Sequence, residues 1–184
     1  MLTETARANM QEKYEWAAKQ NEIIQRQANS HGPFHTQAML TRDLTAVKQA
    51  FWTFLQAYQQ IRFYHGAWLR NTNRQNQGNR LLDAWKAKFL NAKQAEAWDA
   101  LNALRTEDTH NQPVIPEVTL RPVPIAVIRA DNTSSAELEE SDIVDIPMQY
   151  FEVKILGKNH IISSLVAKNM IMLEWFIDTF DQPL

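Results

Sequence analysis

The chain contains no cysteine, which excludes disulfides, thiolate metal sites and cysteine nucleophiles. Glycine is nearly as scarce, with four in 184 residues, each near an expected break or within one helix. So few permissive backbone positions favour helices over a turn-rich sheet protein. The amino terminus lacks the apolar stretch of a secretory signal, and no apolar run nears the length that spans a bilayer. Charge of one sign is also lacking: the formal net charge is −2 at pH 7, giving no strong global pull on nucleic acid. Phosphate-binding glycine loops, H-E-x-x-H zinc helices and G-x-S-x-G elbows are missing, which leaves the common hydrolase and NTP-binding readings unsupported. No metal or cofactor is expected, and a reduced, soluble, cytoplasmic protein without a membrane role is the expectation.

What is present is ordinary for a globular domain: 45% hydrophobic and 22% charged residues, at a length that can bury a core. The spacing predicts a mainly helical protein, a single domain over 1–184. A helical bundle covers 1–113, and a two-stranded β-hairpin insertion with an acidic tip at 131–145 covers 114–158. A terminal helix over 160–181 packs back on the bundle. Residues 2–29 read as a first helix with Met10, Tyr14, Ala17, Ile24 and Ala28 on one stripe. Asn21 interrupts that stripe, so the helix is expected to be half buried, and His31-Gly32-Pro33 ends it. In the second helix Leu40, Leu44, Val47, Phe51, Phe54, Tyr58, Ile61, His65 and Trp68 alternate spacings of four and three. An apolar seam of that length, broken only by His65, needs partner helices, from a bundle, a dimer or both. Leu82, Trp85 and Phe89 mark a short third helix. A fourth starts near Lys93, carries Trp98, Leu101 and Leu104, and cannot pass Pro113.

From Val114 the pattern changes. Val118, Leu120, Ile125, Val127 and Ile128 sit among Pro116, Pro122 and Pro124, which suits an edge strand. A second strand carries Phe151, Val153 and Ile155 on one face and Tyr150, Glu152 and Lys154 on the other. Gly157-Lys158-Asn159 reads as a turn, and Ser163 as the cap of a last helix striped by Val166, Met170, Leu173, Ile177 and Phe180.

Charge is unevenly spread. Residues 131–145 hold Asp131, Glu137, Glu139, Glu140, Asp142 and Asp145 with no Lys or Arg. Arg62, Arg70, Arg74 and Arg80 define a stretch without a carboxylate, which can meet the phosphates of RNA or simply stand solvated. His65, in the seam, reads as a hydrogen-bonded core residue, although its neighbour Arg62 can still approach the Arg105 region. Trp52, Trp68, Trp85 and Trp98 stand at helical spacing, which favours core packing over base stacking.

The fourth helix ends in LNALRTEDTHNQPV (residues 101–114), where Arg105 precedes His110 with four residues between them. At 100° per residue their positions fall about 140° apart on a straight helix, so they meet only if the helix ends after Arg105 or if two copies face each other. This segment, behind a long aromatic helix and a Trp-bearing one, resembles the HEPN superfamily of helical domains, which is marked by R-x(4–6)-H. The similarity is clearest over about residues 40–115. Arg26 and His31 repeat the spacing at the end of the first helix, but without that context. Catalytic HEPN proteins are metal-independent endoribonucleases, often dimeric, in toxin–antitoxin and defence settings, and others are non-catalytic binding domains. The resemblance makes Arg105 the cation that stabilises charge on the phosphorus oxygens and His110 the general acid/base. Thr106 stands where the family usually has Asn, Asp or His. Two functions follow as expectations. One is an endoribonuclease acting on RNA as a homodimer, with a protein partner such as an antitoxin. The other is a non-catalytic helical module that holds a protein partner through the bundle and the acidic hairpin.

Overall fold

The computed structural model describes residues 4–29, 37–72, 77–110, 115–126 and 143–180. Among them the elements run α1 (Glu4–Asn29), α2 (Gln37–Asn71), α3 (Gly78–Phe89), α4 (Ala92–His110), β1 (Glu117–Ala126), β2 (Ile143–Ile155), β3 (Lys158–Ile161) and α5 (Ile162–Thr179). The protein is a mainly helical bundle with a small antiparallel sheet placed before its last helix.

The four-three spacing of α2 does what it predicts. Val47, Phe51, Phe54, Tyr58, Ile61, His65 and Trp68 are all buried, and Leu44 is half-buried. From Val47 to Trp68 the seam is buried within one chain and is core; the Leu40 side chain lies outside the described residues. On α1, Met10, Ala17 and Ile24 are fully buried, while Tyr14 and Ala28 are half-buried. Two hydrogen bonds tie α1 to α5: Arg7 donates to the Ile177 carbonyl at 3.0 Å, and Gln25 to that of Ser163 at 2.8 Å. Between α3, α4 and α5 sits an aromatic cluster, with ring centroids 5.3 Å apart for Trp85–Trp98, 5.1 Å for Trp85–Phe176 and 5.5 Å for Trp98–Phe176. The tryptophans at helical spacing are therefore core residues, except Trp52, which is half-buried. The buried Asn169 of α5 donates to the carbonyl of Ala97 on α4 at 3.1 Å, fixing the two helices to each other.

The insertion has three strands, in the order β1-β2-β3, where the sequence predicts two. Gly157 is in the turn as expected, but Lys158 and Asn159 are not: they already pair with Ile155 and Lys154. The turn is Leu156-Gly157, with φ of 49° and 79°. Both values are positive, as a tight two-residue hairpin requires, so the chain returns at once as β3. Gly157 adopts this backbone freely, whereas Leu156 is strained there and is 70% exposed, with little packing to offset the strain. Leu156→Asn is expected to raise stability by about 1 kcal/mol, read from the urea midpoint. A loss would mean that Leu156 holds a contact that its exposure hides.

β1 is the edge strand expected from its prolines. Pro122 lies directly opposite Pro147. Neither has an N–H, so the pair occupies a non-hydrogen-bonded position, and Pro122 and Pro124 turn their missing donors toward the open edge. That edge resists pairing with another strand. Asp145 is part of β2, opposite Pro124, so the acidic segment is not all hairpin tip. Its residues 131–142, together with Val127 and Ile128, lie outside the described residues. Phe151, Val153 and Ile155 are buried as predicted, but Glu152 on the opposite face is also only 3% exposed. The guanidinium of Arg121, on β1, is bonded to its carboxylate, which explains how a charge is tolerated there. α5 starts at Ile162 behind Ile161, without a side-chain cap, so Ser163 is inside the first turn rather than capping it.

Candidate functional site

α4 is unbroken from Ala92 to His110. Of the two geometries that the sequence left open, the helix ending after Arg105 is therefore excluded. The Arg105 and His110 positions stand about 140° apart on one helix. The side chains of residues 105–110 lie outside the described residues. One turn earlier, Leu101 and Leu104 are fully buried, and Asn102 faces α2. Its Oδ1 accepts a hydrogen bond from the Tyr58 hydroxyl at 3.0 Å and another from the Arg62 guanidinium. Residues three apart are neighbours on a helix surface, so Arg62 reaches α4 beside the Arg105 position. Asn102 is a functional candidate that sequence reasoning missed. Its signal, a polar residue between core leucines, gains meaning only when the helix is known to continue.

Arg62 also lines a cleft of about 570 Å³ between α2 and the start of α3, with Phe63, His65, Gly66 and Arg70 from α2 and Gly78 from α3. The structure thus brings together two of the four predicted RNA-binding arginines. The Arg70 guanidinium carbon sits 5.7 Å from the Phe63 ring centre, a cation–π distance that holds it at the cleft. Arg80 is exposed in the first turn of α3 and does not line the cleft. Arg74 lies outside the described residues. None of the lining side chains is acidic.

His65 forms part of this cleft's wall and is 6% exposed. Its ring meets Phe180 at 3.9 Å, Phe176 at 5.3 Å and Trp68 at 6.1 Å between centroids. Burial, and then the charge of Arg62, push its pKa down to about 4, so the imidazole is neutral at pH 7. The predicted core placement holds, but the predicted satisfaction does not extend to Nε2, which has no hydrogen-bond partner among the described residues.

A second cavity of about 230 Å³ lies where β3 leads into α5, with Arg121, His160, Ser164 and Lys168 on its walls. Burial lowers the His160 pKa against the opposing pull of Glu96. Among the described residues no group of three or more His, Asp or Glu could hold a metal ion. No helix among them is long and apolar enough to cross a membrane.

No protein-family model, curated protein or solved structure matches this chain.

Proposed function

We propose that the chain is a cytoplasmic, metal-independent endoribonuclease of the HEPN type, acting as a homodimer in a toxin or defence setting with a protein partner. The observation that carries this reading is the bond from Arg62 to Asn102. It ties the arginine-lined cleft to α4 one turn before Arg105, giving a phosphodiester chain a cationic approach to that helix. Because the Arg105 and His110 positions diverge on α4, the reacting pair is assembled from two copies. His110 of one copy takes the proton of a ribose 2′-hydroxyl, and the freed oxygen attacks the adjacent phosphorus. The bond to the 5′-oxygen breaks as that oxygen takes up a proton, returned by His110 through water, leaving a 2′,3′-cyclic phosphate and a 5′-hydroxyl. Arg105 of the other copy neutralises the charge that gathers on the phosphorus oxygens.

The test is cleavage of a mixed RNA substrate in EDTA. The wild-type protein is expected to cut, and His110→Ala to lose about 100-fold or more of the rate with its far-ultraviolet circular dichroism unchanged. Equal rates would place the activity elsewhere. A second reading, the non-catalytic module that holds a protein partner, draws on the same unbroken α4, since one chain cannot bring the two positions together. No cleavage by either protein, with partner capture lost on neutralising the acidic residues of 131–145, would favour it.

A further inference from the structure

We propose that the α2–α3 cleft is a binding pocket for a phosphomonoester dianion, the chemistry shared by the phosphate at an RNA end and free inorganic phosphate. The proposal goes beyond the cleavage reading and does not depend on it, because neither Arg105 nor His110 takes part.

Two features converge on the cleft. Arg62 and Arg70 bring two guanidinium groups to a wall without a carboxylate, and each is held in place, by Asn102 and by Phe63 respectively. Guanidinium groups match phosphate oxygens in geometry as well as charge. The amino-terminal turn of α3 opens on the same space through Gly78 and Asn79. The Gln77 side chain makes no capping hydrogen bond, and the first turn holds no acidic residue, a setting that favours an anion at this helix end. Gly78 allows this helix end to come close to α2, since a Cβ there would fall 3.0 Å from a Leu69 methyl carbon. His65 borders the same cleft, but its Nε2 is buried away from the open space, so the ring shapes the wall and takes no part in holding the anion.

The cleft's volume of about 570 Å³ is several times that of a bare phosphate, so a phosphate carried on a nucleoside also fits. Phe63, 63% exposed beside Arg70, offers a face for the attached base. Under the cleavage mechanism above, the enzyme's own cuts leave 5′-hydroxyl ends. A site that reads a 5′-phosphate would therefore distinguish a primary RNA end from a product.

The experiment uses the full chain labelled with ¹⁵N at arginine, titrated with inorganic phosphate and with two RNA oligonucleotides that differ only in a 5′-phosphate. The expected result is a shift of the Arg62 and Arg70 Nε signals with phosphate, and about tenfold or tighter binding of the phosphorylated oligonucleotide. Gly66→Leu fills the cleft from a position where a Cβ meets only Arg70 Nη1, at 3.8 Å, and is expected to abolish both effects. That variant also gains helix propensity, so a melting temperature held or raised alongside lost binding separates occlusion from unfolding. Arg70→Gln is a second, milder variant and is expected to weaken phosphate binding without losing the fold. A shift with inorganic phosphate but equal binding of the two oligonucleotides upholds the site and assigns it to the free ion. No shift with any phosphate, or shifts that persist in Gly66→Leu, overturns the proposal and leaves a water-filled cleft. Retained phosphate binding by a protein that does not cut RNA would separate this site from the cleavage reading.

Discussion

Trp98→Ala is expected to remove about 3–5 kcal/mol of stability, a large share of what holds a domain of this size folded. Trp98 is fully buried, and its ring packs against Tyr58 of α2, Trp85 of α3 and Phe176 of α5 at centroid distances of 5.5, 5.3 and 5.5 Å. Truncation therefore opens a cavity where four helices meet, and the surrounding rings cannot collapse into it without moving whole helices. The comparison with phenylalanine sharpens the test. Trp98 Nε1 has no partner among the described residues, so Trp98→Phe gives up ring volume but no hydrogen bond. Trp85 Nε1 donates to the Thr179 hydroxyl at 2.9 Å, so Trp85→Phe loses a hydrogen bond as well as ring volume. Trp85→Phe is expected to cost about 1 kcal/mol more than Trp98→Phe, read from urea midpoints at constant slope. The reverse order would mean that the Trp98 nitrogen is satisfied in solution.

The second large effect is acid destabilisation through His65. Its folded pKa of about 4 lies below the ordinary value of 6.5, because burial and the neighbouring Arg62 oppose the charged ring. It is faced by Phe176 of α5 and by Phe180 just beyond that helix, which carry no charge to offset this. Below pH 6.5 the unfolded chain binds a proton that the folded chain refuses, so stability falls as the pH drops and stops falling from this source near pH 4. At 1.36 kcal/mol per unit the full loss is about 3 kcal/mol, an order-of-magnitude figure. His65→Phe removes the titrating group while keeping an aromatic in the seam. Chemical denaturation of both proteins across pH 4 to 7 is expected to show a smaller acid loss in the variant, by about that amount. Parallel curves would mean that His65 is protonated as easily in the folded state as in the unfolded one.

The parts of this fold legible in the sequence are those set by local period. The seam of α2 repeats over many turns, and each apolar residue in it answers to a neighbour three or four positions away. β1 announces itself as an edge through Pro122 and Pro124 alone. The parts that were not legible depend on residues far apart in sequence. Nothing near Glu152 marks it as buried, because its partner Arg121 lies on another strand, across the acidic segment. β3 spans four residues, too few to show a period, and its turn uses Leu156 at a position where a sequence reading looks for Asn or Gly. The site divides in the same way. The absence of carboxylates between Arg62 and Arg80 is visible at once. That Arg62 and Arg70 share a cleft with His65, while Arg80 turns away, follows from how the start of α3 docks on α2. Whether α4 ended after Arg105 was open in the sequence, and its continuation leaves only the arrangement in which two copies face each other.

A site shared between two copies can be tested directly. Arg105→Ala and His110→Ala, each inactive alone, are mixed, allowed to exchange subunits, and assayed on RNA in EDTA. If every site takes Arg105 from one copy and His110 from the other, a mixed dimer holds one intact site and one doubly damaged site. Random exchange then restores about a quarter of the wild-type rate, because half of the dimers are mixed and half of their sites are whole. Failure to recover activity, with both variants folded and exchanging, would contradict a site shared between two copies of α4.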